Sequence, residues 1–434
     1  MHEMSFDALL LALVAVILAT KLLGEGAQRI GQPAVLGELL AGVLLGGSVL
    51  GILDPSDPVI HAFAELGVLV LLFEIGLHTD LKSLVGVGST ALTVGLVGVI
   101  LPFVLGYFAA EAFGLGAVPA IVCGAALTAT SIGISARVLS DLGTLNTTEG
   151  QVVIGAAVLD DVVGLIILSI VSSIAGGAAV TVFGVTRTTV VAIGFIAVAL
   201  FAGSLLIPPL FRAVERIKVS GSLGLIALAF AFALAWLADV SGSAMIIGAF
   251  AAGLVLHGTP QRDEIETATT TIGYFFVPIF FAAVGAQVDL RSLADVNALA
   301  IGGALIVVGV VGKYAAGYAP FWFTGSKSMI GAAMIPRGEV GLIFAQMGLA
   351  TGALDTQLFS AVTLMVMVTT FLAPVMLSRI VKRRAVHNLE AQPGDGGIDD
   401  LVAGTSVHAE RGASGADASS PSASRSAPEP KPPA

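Results

Sequence analysis

Apolar runs of roughly 20 residues follow one another from about residue 7 to about residue 380, with only short polar interruptions. Each run is long enough to cross about 30 Å of hydrocarbon as an α-helix. Hydrophobic residues make up 56% of the 434 positions and charged residues only 12%, with a mean hydropathy of +0.97. These values exclude a soluble globular domain. Much of the net charge of −10 lies in the tail and short loops, so it indicates no nucleic-acid partner.

A window of about 19 residues predicts an all-α polytopic membrane protein with thirteen transmembrane helices. The candidate spans lie near 7–23, 34–53, 59–78, 89–113, 116–139, 150–175, 189–211, 221–239, 241–257, 267–285, 297–323, 328–350 and 357–380.

The loop charges predict an orientation for these spans. If the N-terminus is outside, the external loops carry only Arg187 and Arg291, and the other loop lysines and arginines face the cytoplasm. This bias follows the positive-inside rule and predicts a multi-pass protein of the bacterial inner membrane with a cytoplasmic C-terminus. Residues 385–434 lack aromatics and are rich in Ser, Ala, Pro and Gly, which predicts a disordered tail after a transmembrane domain of residues 1–384.

Two adjacent carboxylates, Asp160 and Asp161, lie near the middle of the sixth span. Charge at the bilayer centre costs at least about 2.5–3.5 kcal/mol per residue, so intramembrane acids are functional candidates. Neighbouring residues on a helix point about 100° apart, and the two side chains can therefore address different partners around one cavity. Their oxygens could hold protons or a hard cation. The plainer alternative is a loop dipeptide in a misplaced span.

Two spans contain helix-breaking sequences at matched positions. The fifth span carries a small polar cluster at 127–133, and the twelfth carries Pro336 between Met334 and Gly341. Non-helical backbone at membrane depth is tolerated where it lines a cavity or is buried in protein. The breaks are seven spans apart, so these helices run in opposite directions. This pattern predicts an inverted repeat of spans 1–6 and 8–13 around a linker, span 7, although a simple proline kink and ordinary packing glycines would also fit.

Lys313 lies inside the eleventh span, about 10 residues from its cytoplasmic end, or near 15 Å along a helix. Snorkelling to the interface would be strained over that distance, although a shifted span would allow it. A buried ammonium needs an acidic partner, and the aspartate pair is the natural one.

Six ordered motifs across about residues 6–380 make the chain resemble the monovalent cation:proton antiporter-2 family, most closely its NapA-type sodium/proton antiporters. They are Gln-Pro-Ala-Val-Leu-Gly-Glu-Leu-Leu-Ala-Gly at 32–42, Glu-Leu-Gly-Val-Leu-Val-Leu-Leu-Phe at 65–73, Ala-Thr-Ser-Ile-Gly-Ile-Ser-Ala-Arg-Val-Leu at 129–139, Asp-Asp at 160–161, Gly-Lys at 312–313 and Pro-Arg-Gly-Glu-Val-Gly-Leu-Ile at 336–343.

The resemblance implies roles for individual residues. Asp161 matches the principal cation-binding and proton-carrying residue, and Asp160 matches the acid that pairs with Lys313. The unwound segment beside the ion site corresponds to Ala129, Thr130 and Ser131, so a sodium ion would contact Asp161, Asp160, Thr130 and Ser131. The second broken helix and its support correspond to Pro336, Arg337, Gly338 and Glu339. Glu74 departs from the family's usual apolar residue and is expected at a cavity edge, where it could line a vestibule.

The resemblance also implies a homodimer in lipid, in which a core domain moves against a dimerisation domain as an elevator. We therefore expect an electrogenic sodium or lithium/proton antiporter, not an enzyme, with no cofactor. The alternative within transporters is potassium/proton exchange or Kef-like potassium efflux. An intramembrane aspartyl protease needs its two aspartates on separate helices, which disfavours that class here. A passive channel would not need a buried lysine beside titratable acids.

Overall fold

The computed structural model is all-helical throughout the residues it describes, which are 5–175, 186–187, 189–191, 194–203, 205, 222–288 and 296–390. The all-α prediction is confirmed for these residues. The helices are α1 (Phe6–Arg29), α2 (Ala34–Leu45), α3 (Pro58–His78), α4 (Leu81–Gly86), α5 (Gly88–Ala112), α6 (Ala117–Ala126), α7 (Ile132–Asp141), α8 (Thr148–Ala175), α9 (Ser222–Val240), α10 (Met245–His257), α11 (Arg262–Ala286), α12 (Val296–Ala316), α13 (Lys327–Ala333), α14 (Glu339–Ala350) and α15 (Thr356–Glu390).

Eight of the described helices are long and apolar enough to cross a membrane: α1, α3, α5, α8, α9, α11, α12 and α15. Shorter apolar helices, including α2, α6 and α10, lie between them. The protein is therefore a multi-pass membrane protein. The predicted seventh span near 189–211, the external Arg291 and most of the predicted tail fall wholly or partly outside the described residues. The chain divides into two units, Met1–Lys382 and Arg383–Ala434.

Local sequence determines where several helices begin and end. Asp57 caps α3 by accepting hydrogen bonds from the amides of Val59 and Ile60, and Pro58 occupies the first turn, where no amide donor is needed. Between α6 and α7, residues 127–131 are not helical, and residues 334–338 separate α13 from α14 in the same way. Pro336 and Gly338 lie in the second segment, where both residues disfavour a continuous helix.

The helices of the first unit pack in two groups. One group contains α1, α2, α3, α9, α10 and α11, and here α3 packs against both α10 and α11. The other contains α5, α6, α7, α8, α12, α13 and α14, and here α5 packs against α6, α8 and α12. Contacts of α7 with α2 and α3 join the groups. We call them the α3 group and the α8 group.

Glycines allow the α3 and α10 backbones to approach closely. A Cβ added to Gly253 would lie 2.1 Å from the Phe73 carbonyl oxygen and 2.6 Å from the Leu77 nitrogen, closer than any real Cβ contact. We expect Gly253→Ala to force the helices apart and cost about 1–3 kcal/mol or more. Gly303→Ala on α12 is the matched control, because its Cβ meets no atom within 4 Å. Thermal unfolding in detergent should show a loss for the first variant only; equal melting temperatures would contradict this packing.

Candidate ion site

The two adjacent aspartates of α8 occupy different environments. Asp160 is completely buried, whereas Asp161 is 7% exposed and lines a cavity. Because α8 is continuous through both positions, their side chains diverge by about 100°. One helix therefore presents one carboxylate to the protein interior and the other to accessible space.

Asp160 forms a buried ion pair with Lys313 of α12. The Lys313 Nζ atom lies 2.5 Å from Asp160 Oδ2, and neither side chain is exposed. The Thr130 hydroxyl donates a second hydrogen bond of 2.7 Å to the same carboxylate oxygen. Asp160 Oδ1 is buried and has no hydrogen-bond partner among the described residues. The pair holds charge at membrane depth through one oxygen and leaves the other able to accept a ligand or proton.

The two non-helical segments meet beside this pair. The amide of Ser131 donates to the Pro336 carbonyl over 2.9 Å, and the Thr130 hydroxyl also lies 3.2 Å from the Met334 carbonyl oxygen. Ser135, on the first turn of α7, donates a hydrogen bond of 2.6 Å to the Ala333 carbonyl. These bonds satisfy backbone groups that the interrupted helices leave free at membrane depth.

Arg337 connects the same two segments from the other side. Its Nη1 atom donates a 2.6 Å hydrogen bond to the Ala129 carbonyl oxygen, and its own carbonyl accepts a hydrogen bond from Thr370 of α15. The side chain is completely buried, and its Nε and Nη2 atoms lack hydrogen-bond partners among the described residues. Its positive charge acts on Asp160 through space. Arg337 therefore adds positive potential beside the Asp160–Lys313 pair and fixes the position of Ala129.

A cavity of about 690 Å³ leads to Asp161 from one end of the bundle. Its walls come from both helix groups, with Val68 and Phe280 on one side and Val340 and Gln346 on the other. Further lining residues, toward the loops, are Pro55, Ser56, Asp239, Ser243 and Gln287. We call this end of the bundle the cavity end. A hydrated cation entering there could reach a carboxylate without crossing lipid.

The remaining residues predicted from the sequence fall in three places. Gly338 lies against Ser131, since a Cβ on this glycine would be 2.5 Å from the serine hydroxyl oxygen. Glu339 begins α14, and its side chain is outside the described part of the structure. Glu74 is not among the residues that line the cavity; it lies on α3 beside Gly273 and Thr270 of α11.

Sequence reasoning missed two groups of polar residues. Glu38, inside the apolar stretch 34–45, is only 3% exposed and lies 3.7 Å from Arg137. Asp239, near the C-terminal end of α9, lines the cavity. The sequence feature that could have indicated the contact of Glu38 with Arg137 is a single acid in the apolar stretch 34–45 and a single base in 117–141.

The grouped oxygens have the chemistry of a site for a small hard cation. Carboxylate, hydroxyl and backbone carbonyl oxygens are the ligands that such ions prefer, and Asp160, Asp161, Thr130 and the carbonyls of 129–131 supply these types of ligand within adjoining turns. The same carboxylates can bind protons instead. A site of this kind defines an ion-handling membrane protein.

The comparisons with known proteins agree with this class. The family profile described as sodium/hydrogen exchanger, transmembrane, matches residues 9–383. The chain therefore belongs to the sodium/hydrogen exchanger family of monovalent cation:proton antiporters, as its sequence motifs predicted.

Individual relatives cover most of the chain. It is 41% identical over 411 residues to the high-affinity Na(+)/H(+) antiporter NhaS3 of Synechocystis, covering 86% of this chain and 89% of that protein. It is 36% identical over 367 residues to the Na(+)/H(+)-K(+) antiporter GerN of Bacillus cereus, covering 83% and 93%. The sodium proton antiporter MjNhaP1 of Methanocaldococcus jannaschii shares the fold, with a TM-score of 0.72 at 14% identity over 90% of this chain and all of that one.

Proposed function

We propose that the protein exchanges sodium, or lithium, for protons at a site built on Asp161, Asp160, Thr130 and Ser131. The observation that carries the proposal is that the two aspartates of α8 have different surroundings: Asp161 faces the cavity, and Asp160 forms an ion pair with Lys313. The names of NhaS3 and GerN, both sodium/proton antiporters, support the choice of ions.

Competition for one set of oxygens is enough to couple the two fluxes. A cation that enters the cavity displaces a proton from Asp161 and draws Asp160 away from Lys313. The loaded or protonated site can cross the membrane barrier, whereas an empty site with bare charge cannot. Protons then displace the cation on the other side. Because two aspartates and a lysine can change protonation, more than one proton can move per cation, and transport would be electrogenic.

The movement that exposes the site to the other side would be an elevator-like displacement of the α8 group against the α3 group. The support is the way contacts concentrate within each group, with the cavity between them. Such a displacement carries the whole ion site with it, since both non-helical segments lie in the α8 group.

The finer architecture follows the same proposal. Twelve of the thirteen spans would form two inverted repeats, 1–6 and 8–13, with span 7 as the linker and with α6–α7 and α13–α14 as the broken crossing helices of spans 5 and 12. The α3 group would supply the homodimer interface in the lipid of a bacterial inner membrane. The N-terminus would be outside and the C-terminus in the cytoplasm, so that the cavity end would face outward.

Potassium/proton exchange is the second candidate. The name of GerN includes potassium, and a further relative, 27% identical over 348 residues, is the K(+)/H(+) antiporter subunit KhtU of Bacillus subtilis. The same oxygen ligands could accept the larger ion if the site expanded slightly. Cation preference is therefore part of the test.

The test uses purified protein in sealed liposomes with an imposed pH gradient. Lumenal pH is followed while sodium, lithium and then potassium are added, with protein-free liposomes as the control. We expect sodium and lithium to dissipate the gradient and an imposed membrane potential to change the rate. Dissipation by potassium alone would favour the second candidate. A gradient that survives every cation would overturn coupled exchange.

A further inference from the structure

At the end of the bundle opposite the cavity, polar contacts join the two helix groups. They involve the N-terminal part of α2 in the α3 group and the C-terminal part of α7 in the α8 group. We propose that Glu38, Arg137 and Asp141 form a clasp that holds this end shut while the cavity end is open, and that the clasp must break for alternating access. We call these three residues the clasp.

Asp141 supplies a helix cap across the boundary between the groups. Helix α2 begins after Pro33, which makes no side-chain capping bond. The carboxylate of Asp141 instead lies beside the amides of Ala34 and Val35, in the first turn of α2, close enough to interact with both electrostatically. Those amides would otherwise lack partners, and the positive end of the helix dipole favours an anion there. Separating α7 from α2 removes the cap.

Arg137 completes the clasp from the same face of α7. Its Nε atom lies 3.1 Å from Asp141 Oδ1, one turn along the helix, and its Nη2 atom lies 3.7 Å from Glu38 Oε1. Glu38 is 3% exposed, and its Oε2 atom has no hydrogen-bond partner among the described residues. If Arg137 withdrew without replacement, a buried carboxylate would lose its counter-ion, which is strongly unfavourable.

A third contact lies at the same end. Ser378 and Lys382, on the last turns of α15 within the first unit, both donate to the carbonyl of Gly31, in the turn between α1 and α2. Gly31 adopts a left-handed conformation with φ of 71°, which points its carbonyl toward these donors and is readily accessible only to glycine. The turn that precedes α2 is therefore held from two sides.

The position of the clasp relative to the ion site gives it a role beyond static support. Arg137 is six residues after Ser131, about 9 Å along α7 at the usual rise. The helix that carries the clasp therefore begins at the segment that contacts Asp160. At the other end the same two groups are separated by the cavity. A displacement that closes the cavity must move α7 relative to α2, and this movement pulls on all three clasp residues.

Weakening the clasp should therefore shift the population from the cavity-open state toward the opposite one. The proposal rests on alternating access, but its readout is accessibility and needs no transport. Cys123, the single cysteine, is fully buried, so Cys123→Ser provides a background for single-cysteine reporters. Val138→Cys reports on the clasp end, where this residue is buried, and Val68→Cys reports on the cavity.

The clasp variants are Glu38→Gln and Arg137→Gln, and the matched control is Glu25→Gln. Glu25 forms an exposed ion pair with Arg29 within α1, and this pair does not connect the two helix groups. We expect either clasp variant to raise the alkylation rate at Val138→Cys on the order of tenfold and to lower it at Val68→Cys, whereas Glu25→Gln changes neither.

Unchanged rates at both reporters would overturn the clasp. A rise at Val138→Cys without a fall at Val68→Cys would also overturn it, because local loosening would then explain the result. Thermal unfolding of each variant shows whether it has a folding defect. If a variant is defective, Asp141→Asn is the milder replacement, because the asparagine side chain keeps one carbonyl oxygen that can accept hydrogen bonds. If the unmodified protein did not exchange cations for protons, the proposed function would be wrong. The accessibility test would still be valid, because it measures alkylation rates and not transport.

Discussion

Replacing Lys313 by Met is expected to lower the stability of the protein by about 3–5 kcal/mol. The substitution leaves the Asp160 carboxylate fully buried with no ammonium beside it. The Thr130 hydroxyl, which donates to the same oxygen, replaces only a small part of the lost interaction. Thermal unfolding in detergent, at fixed pH and salt, measures the loss.

The double variant Asp160→Asn with Lys313→Met separates two contributions to the free energy of unfolding: the net contribution of the intact ion pair and the loss caused by leaving one charge unpaired. Because a buried ion pair is often no better than neutral side chains of similar size, we expect the double variant to recover most of the stability. Lys327→Met is the control away from the ion site, since that side chain is half-buried and, among the described residues, donates to the Phe321 carbonyl. If Lys313→Met were as stable as this control, the charges would not be paired as the structure shows.

The aspartate pair is the part of the site that the sequence could predict. An apolar helix with two adjacent carboxylates at mid-depth leaves few physical options, because each charge needs a partner or accessible water. Helical geometry alone required that the two side chains face different surroundings, and they do. Lys313 could be matched to this pair because a buried cation has the same need. The choice of Asp160 as its partner required the family resemblance.

The sequence could not predict contacts between polar residues far apart in the chain. The approach of Arg137 to Glu38 depends on how α7 lies across α2, and nothing in either segment encodes that angle. The same holds for the Met334 carbonyl that Thr130 reaches, since it depends on the meeting of two non-helical segments. Local patterns specify which groups need partners; packing decides which partners they find.

The proposed division of the ion site gives each of the two carboxylates a separate task. A single acid facing the cavity would have to bind the cation and carry the counter-charge of Lys313. In the proposed mechanism, Asp160 holds the lysine through Oδ2 until a cation enters, so the cavity-facing Asp161 does not have to balance that charge as well. In the same proposal, a bound cation draws Asp160 away from Lys313, while Arg337 keeps the neighbouring Ala129 carbonyl in place.

Replacing Asp161 by Asn is expected to abolish cation-dependent proton movement, with a fall of at least about 100-fold, similar to the loss of a principal electrostatic group in an enzyme. Asparagine has nearly the same size but cannot carry a proton or neutralise a cation. The measurement is the collapse of an imposed pH gradient in proteoliposomes on addition of sodium.

Asp239→Asn is the matched control for this loss, because Asp239 is an exposed carboxylate that lines the same cavity away from Lys313 and Thr130. Its removal takes one negative charge from the cavity and should reduce only the apparent affinity for sodium. This reduction should become smaller at high salt, which screens the attraction between the cavity and the cation. Equal activity of Asp161→Asn and the unmodified protein would show that the cation binds elsewhere. Equal loss in both variants would show that cavity charge, and not the ligand at Asp161, controls exchange. Only a loss confined to Asp161→Asn assigns the exchanged proton to the carboxylate that the cavity exposes.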